Sequence, residues 1–406
     1  MSEPLAIAGV APRHVVTPRS LDELARSIHE LAAQRRPFAV VGGGTQLELG
    51  NAPRALDTVV RTFALDRVVD YAPEDQTISV EAGMTFEELD RILARNGQML
   101  PLDVTDRRAG TVGGAVATNA YGRRRLRYGT AKDLIVGVGI VRPDGVRARG
   151  GGKVVKNVAG FDLPKLMVGS LGSLGAIATV TFRVYPIPEA VRAVAFRFDS
   201  AAGIDVVLRE LLARRLEPES VALYNYATLV VTFAGTRPGV DAQASVLTGE
   251  IARLCGTRAD ELGELETESY AQRERAVRRD GDWRLRIVAP PANPVATLGS
   301  FVASAPLAVP VAYPTLGVAL HAYGPPALPP ASGDARPDWH LADLRERVAT
   351  HTQGSGHVVV HAMPLAARGI VDAWSAHPPA LPLMRALKER FDPYGLCNPG
   401  RFVGGL

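Results

Sequence analysis

The sequence predicts an α+β protein built in two parts, with a C-terminal strap, and three observations support this. Strand and helix signals alternate through the first half. A second strand and helix set begins after Pro186-Ile187-Pro188, and a helix, a turn and an extended tail close the 406 residues. That length exceeds what one hydrophobic core usually serves. The expected boundaries are 1–187 for the first domain, 188–382 for an α/β second domain and 383–406 for the strap.

In chain order, HVVTP at 14–18 reads as a short extended piece. Ser20 with Glu23 forms a capping box, and Leu24, Ile28 and Leu31 follow at helical spacing. FAVV at 38–41 is a buried strand that runs straight into GGGT. ISVEAG at 78–83 is a second strand, and Thr85 with Glu88 caps a helix ending at Asn96-Gly97. GTVGGAVATNAYG at 110–122 carries small residues throughout. DLIVGVGIV, PDG and VRARG read as a β-hairpin, and GAIATVTFRVYP at 175–186 as a long strand. The second part follows as VRAVAFRF, a helix at 201–214, SVALYNY, LVVTFAG and a helix at 240–254. Strand LGVALHAYG, a helix at 341–349 and strand HVVVHAM complete it, with a proline-rich loop at 325–337.

Composition excludes several classes. The hydrophobic fraction of 47% and charged fraction of 22% are ordinary for a soluble globular chain, and the net charge is only +4. The arginine run 123–127 has no aromatic interleaving, so no nucleic-acid partner is expected. Cys255 and Cys397 are too few for a disulfide framework or a four-thiolate iron–sulfur cluster. No basic residue precedes the short N-terminal apolar run, and no stretch has the length of a membrane span. The chain is expected to be cytoplasmic and to reach the inner membrane only through partners.

Glycine carries the chemical signal. Segment 149–177, RGGGKVVKNVAGFDLPKLMVGSLGSLGAI, holds Lys153, Lys156 and Lys165 in a chain that otherwise uses arginine almost everywhere. Two readings stand for it: a backbone that approaches a ligand closely, with the lysines adding positive potential, or a structural loop. A Rossmann fingerprint after FAVV fails because Leu47 stands where the third glycine belongs. A P-loop at Lys153 fails because Val154 replaces Ser/Thr and Arg147 the leading glycine. Three glycine-rich turns remain, at 42–45, 110–114 and 169–175. Exposed N–H groups in such turns form concave anion sites.

The ordered set of turns resembles the FAD-binding domain of the vanillyl-alcohol oxidase/p-cresol methylhydroxylase (PCMH-type) superfamily. PLDVTDRRAGTVGGAVATNAYG, GGKVVKNVAGFDLPKLMVGSLGSLGAI and FDPYGLCNPGRF are similar to its 2-hydroxyacid branch, and most of all to the FAD-binding subunits of bacterial glycolate oxidase complexes. The resemblance covers about 14–187 and the tail from 383. It implies a two-subdomain FAD-binding domain, a ferredoxin-like α/β cap and a strap returning to the flavin. By position it implies that Gly42, Gly43, Gly44 and Thr45 form a first pyrophosphate loop. Gly110, Thr111, Gly113 and Gly114 then form a second loop beneath the isoalloxazine, continued by Asn119 and Gly122. Asp162 takes the acidic position after the lysine motif, Gly175 and Ile177 the adenine-side strand, and Asn398 the tail residue at the ring. The loop 42–50 holds no histidine and no cysteine precedes Cys255, so the FAD is expected to be non-covalent.

The implied activity is oxidation of a 2-hydroxyacid (glycolate to glyoxylate, or lactate), within a complex holding a sister flavoprotein subunit and an iron–sulfur subunit. The alternative is a non-catalytic relay or scaffold subunit whose sister does the substrate chemistry. A stand-alone reductase fed by NADPH is disfavoured by the missing dinucleotide fingerprint. No catalytic residue is assigned. His357 and His361 in GSGHVVVHA are four apart on a strand, about 13 Å at ~3.3 Å per residue, so they share no ion and no metal is expected. Tyr224, Asn225, Tyr226 and His321 are further polar groups of the second part.

Overall fold

Polar caps and apolar stripes set the first elements. Helix α1 (Leu21–Ala33) starts where the Ser20 hydroxyl accepts from the Glu23 amide at 3.2 Å, and it buries Leu24, Ile28 and Leu31. The Glu23 carboxylate accepts from the Arg19 amide, so the reciprocal half of the capping box lies one residue upstream of Ser20. Strands β1 (His14–Val16), β2 (Phe38–Val41) and β3 (Thr58–Arg61) form a parallel sheet in the order β1-β3-β2. The computed structural model describes residues 5–152, 161–289, 309–323, 339–375 and 377–406. Lys153, Lys156 and the proline-rich loop 325–337 lie outside the described residues.

The next strands are β4 (Val68–Ala72), β5 (Thr77–Glu81), β6 (Gln98–Met99), β7 (Ile135–Val141), β8 (Arg147–Gly151), β9 (Ala176–Arg183) and β10 (Tyr185–Pro186). Five of them make an antiparallel sheet in the order β4-β5-β9-β7-β8, and β6 pairs with β10. The expected hairpin is β7–β8. Helix α2 (Phe86–Ala94) starts at Thr85, whose hydroxyl accepts from the Glu88 amide at 3.3 Å. Helix α3 (Val112–Thr118) follows, then the single turns α4 (Arg125–Tyr128) and α5 (Ala131–Leu134), and α6 (Leu163–Met167). Ile78, Val80, Phe86, Val112, Val116, Val180 and Phe182 form the core between the five-stranded sheet, α2 and α3.

The chain divides into two compact units: 1–122 with 128–187 and 377–406, and 123–127 with 188–376. The second unit holds β11 (Ala190–Arg197), β12 (Ser220–Tyr224), β13 (Thr228–Gly235), β14 (Asp260–Leu262), β15 (Trp283–Val288), β16 (Val309–Tyr313), β17 (Val318–Tyr323) and β18 (His357–Ala362). They make one antiparallel sheet in the order β14-β11-β13-β12-β16-β17-β15-β18. Its helices are α7 (Ala201–Ala213), α8 (Arg237–Cys255), α9 (Glu264–Arg279) and α10 (Trp339–His351). Val194, Phe196, Leu223, Val231, Phe233, Ile287 and Val358 pack on Ile204, Val207, Leu247, Ile251 and Leu344 of the helices. The arginine run belongs to this unit: Arg127 Nη1 donates to the Ala234 carbonyl at 2.6 Å, and Arg124 lies 3.6 Å from the Glu219 carboxylate. In the first unit, α11 (Leu381–Phe391) leads into the C-terminal strap.

Candidate functional site: a glycine-walled cavity in the first unit

Four stretches of the first unit surround one cavity of about 910 Å³, part of it open to solvent. They are 40–47 from the end of β2, 104–120 around α3, 171–177 into β9, and the strap at 398 and 401, with Thr62 after β3 beside the first.

The first wall is the turn after β2. Gly43 packs so tightly on the second wall that a Cβ there would stand 1.5 Å from the Ala109 carbonyl oxygen. Gly44 turns the chain at φ +76°. Among the described residues, the amides of Gly43, Gly44, Thr45 and Gln46 meet no protein acceptor. Four successive amides in this state are a nest for an anion.

The second wall is α3, and it offers something different. The Thr111 hydroxyl accepts from the Gly114 amide at 3.3 Å, while the Val112 and Gly113 amides donate to the carbonyls of Met84 and Ala82. The first amides of this helix are therefore already used, and its contribution is shape. A Cβ on Gly113 would lie 2.7 Å from the Ala82 side chain, whereas one on Gly114 would meet only the Thr111 hydroxyl, at 3.1 Å. Gly113 is needed for packing; Gly114 leaves a bare face toward the cavity.

The third wall is GSLGSLG. Its Gly169 and Leu171 amides donate to the Val116 and Ala117 carbonyls, which ties it to α3. The strap supplies the fourth. Phe38 pairs with Cys397, its amide donating to the Leu396 carbonyl, and the Asn398 amide donates to the Phe38 carbonyl at 2.7 Å. The Asn398 carboxamide donates to the Leu171 carbonyl, which fixes its orientation, since a carbonyl oxygen only accepts. Asn398 is 2% exposed and its Oδ1 has no partner. Ser170 Oγ and Asn119 Oδ1 are also buried without a partner. An unpaired buried acceptor is costly, and at Asn398, the one of the three that lines the cavity, a bound molecule with an N–H or O–H donor would relieve that cost.

Eleven of the fourteen residues singled out in the sequence line this cavity: Gly42, Gly43, Gly44, Thr45, Gly110, Thr111, Gly113, Gly114, Gly175, Ile177 and Asn398. Asn119, the left-handed cap of α3, and buried Gly122 are not among the lining residues. Asp162 is not brought to it. It caps α6, accepting from the Lys165 amide, and pairs with the Lys165 ammonium at 2.8 Å, which holds its carboxyl below the usual range. Arg401 was not foreseen: it is 6% exposed, lines the cavity and donates through Nη2 to the Leu47 carbonyl at 2.9 Å.

In the second unit, His357 and His361 both lie on β18, as the strand reading requires. Burial, then Arg286, pushes both imidazoles below their usual range. Among the described residues no group of three or more His, Cys, Asp or Glu is placed to hold a metal ion. His321 is 1% exposed between two tyrosines, with Tyr226 Oη 3.1 Å from Nε2 and Tyr323 Oη 3.4 Å from Nδ1. Burial lowers its pKa to about 4 and raises that of Tyr323 to about 12. Tyr224 is buried against the Tyr270 ring, and Asn225 is exposed on the turn after β12. No described helix is long and apolar enough to cross a membrane.

Comparison with known proteins agrees with this geometry. Residues 12–150 match the model of an FAD binding domain, and residues 373–402 match the C-terminal domain of FAD linked oxidases. Glycolate oxidase subunit GlcD of Bacillus subtilis is 28% identical over 54% of this chain and 47% of its own length. Glycolate oxidase subunit GlcE of Escherichia coli is 29% identical over 56% of this chain and 64% of its own. A D-lactate dehydrogenase of Archaeoglobus fulgidus is 32% identical over 53% and 49%. The matched region thus spans about half to just under two thirds of these relatives. Among solved structures, p-cresol methylhydroxylase with substrate bound has a TM-score of 0.72 at 15% identity, covering 95% of this chain and 88% of that one. Alkyldihydroxyacetonephosphate synthase has a TM-score of 0.68 at 17% identity, covering 96% and 77%. The fold is therefore the expected α+β one, shared with p-cresol methylhydroxylase, and the matches to an FAD binding domain and to the C-terminal domain of FAD linked oxidases fall on the segments that build the cavity.

Proposed function

We propose that the chain is an FAD-binding subunit of a 2-hydroxyacid oxidising complex, with glycolate or lactate as substrate. The observation that carries the cofactor part is the nest of four unpartnered amides at Gly43–Gln46, beside the bare Gly114 face and the unpaired Asn398 oxygen. In this reading the amides would hold the pyrophosphate, the Gly114 face would let a flat ring pack on backbone, and Asn398 Oδ1 would be free to accept a hydrogen bond from the cofactor. FAD, when bound, supplies a two-electron acceptor. The reading keeps the FAD non-covalent, which is supported by the absence of histidine and cysteine among the described residues that line the cavity. The likeness to two glycolate oxidase subunits and a D-lactate dehydrogenase supports the substrate class and, through the word subunit, an assembly. Electrons then leave to an iron–sulfur partner, and any membrane attachment comes through the complex.

A second reading is an electron-relay or scaffold subunit. It is favoured by comparable likeness to two differently named glycolate oxidase subunits. One experiment tests both. The purified chain, given FAD, should show flavin absorbance near about 450 nm; none would end the cofactor assignment. Anaerobic glycolate or D-lactate then bleaches that band if the chain is catalytic alone and leaves it unchanged if it is a relay. Co-purification with an iron–sulfur protein tests the assembly.

A further inference from the structure

A buried ion pair outside the cavity governs how the strap meets it. Lys388, on α11, is 8% exposed, and all three of its ammonium hydrogens are used. They go to the Ser173 carbonyl at 2.7 Å, Asp392 Oδ2 at 2.6 Å and the Cys397 carbonyl at 2.8 Å. The acceptors belong to three separate stretches: the third glycine turn, the end of α11 and the strap. The Asp392 carboxylate in turn accepts from the Leu396 amide at 3.0 Å and the Cys397 amide at 2.8 Å.

The peptide unit joining Cys397 to Asn398 is thereby held on both sides: its carbonyl by Lys388 and its amide by the Phe38 carbonyl. Asn398 itself sits at φ +52°, a left-handed conformation that asparagine tolerates better than most residues, directly after this doubly held peptide. A buried ion pair is seldom worth more to stability than apolar side chains of the same volume. What this one supplies and a hydrocarbon would not is a fixed distance between strap and glycine turn.

We propose that Lys388, with Asp392, is a positioning residue that aims the unpaired Asn398 oxygen into the cavity and so sets cofactor affinity without touching the cofactor. The proposal rests on the FAD reading above. Its test is a double-mutant cycle on the full chain, titrating FAD by flavin fluorescence. Lys388→Met and Asn398→Ala should each weaken FAD binding about 10-fold, and the double variant no more than about twice as much as either alone. Independent action would instead multiply to roughly 100-fold. That result, or wild-type affinity in Lys388→Met, overturns the proposal.

Asp392→Asn, nearly isosteric, replaces Lys388→Met if the latter fails to fold. Leu93→Ala, a buried core change on α2, controls for general loss of stability and should leave FAD affinity unchanged. Amide hydrogen exchange gives a readout that needs no cofactor. In Lys388→Met, protection at 396–398 should fall at least tenfold while that of α2 holds; unchanged protection at 396–398 overturns the proposal. A wild-type chain that fails to bind FAD counts against the cavity reading, and exchange at the strap then decides the clamp on its own.

Discussion

Gly114→Val separates binding from folding. Gly114 lies in the first turn of α3, where glycine is the poorer helix former, so valine gains roughly 0–0.5 kcal/mol of local propensity. The only neighbour its Cβ meets is the Thr111 hydroxyl at 3.1 Å, a contact relieved by a few tenths of an ångström. Apoprotein stability should therefore change by less than about 1 kcal/mol, a shift of a few degrees in Tm. The branched side chain, however, enters space that a bound ring would occupy. Overpacking a fitted site costs about 1–3 kcal/mol, or roughly 5- to 150-fold in Kd. Fluorescence titration with FAD and thermal unfolding of the apoprotein measure both terms. Gly113→Val is the contrast, because its Cβ strikes Ala82 at 2.7 Å, so it should destabilise the apoprotein itself. A Gly114→Val protein that binds FAD with wild-type affinity would refute the placement of the ligand on α3.

Three further outcomes follow from the geometry. Gly43→Ala places a Cβ 1.5 Å from the Ala109 oxygen, so the two glycine turns must part; loss of FAD binding together with a Tm drop of several degrees is expected in calorimetry. Thr111→Ala removes the cap of α3 and should cost about 1 kcal/mol in a urea titration, with valine no better than alanine. His321 stays neutral in the fold, with its pKa lowered to about 4, while the unfolded chain takes up its proton near pH 6.5. Its contribution is therefore complete above about pH 6.5 and is lost as pH falls toward 4, by about 3 kcal/mol in all. Wild type should therefore lose stability relative to His321→Phe as pH falls from 7 to 4.5 in urea titrations, and parallel acid slopes would contradict this.

What was legible depended on how local the cause was. Ser20, Thr85 and the PDG turn act within a few residues, and α1, α2 and the β7–β8 hairpin begin or reverse where they predict. Strand β3, TVVR, is short, and both of its partners, β1 and β2, pair with it in parallel, so no tight hairpin turn marks it. Helix α9 escaped notice because ELETESYAQRERAVRR buries only Ala271, Glu274 and Val277. Strand β15, WRLRIV, did carry a period-two signal in Trp283, Leu285 and Ile287.

The sequence pointed to turns that line the cavity but did not separate a glycine that packs on protein, such as Gly43, from one that faces open space, such as Gly114. That difference is set by a segment more than sixty positions away. Arg401 and Lys388 were hidden for the same reason, though Lys388 had a clue: it is the single lysine beyond position 165 in an arginine-rich chain.

The cavity's walls are far apart in the order of synthesis. Residues 40–47 and 104–120 are made early, while Asn398 and Arg401 come after the whole second unit. At translation rates of roughly 5–20 residues per second, the 283 positions between 118 and 401 take about 15–55 s. Through that interval β2 has no strap on its edge, and the Leu171 carbonyl lacks its Asn398 donor. The nascent first unit is thus an unfinished bowl with an uncovered strand edge, of the kind that chaperones shield. Cofactor loading should be a late, post-translational event, and a ribosome-stalled chain ending before the strap should retain no FAD.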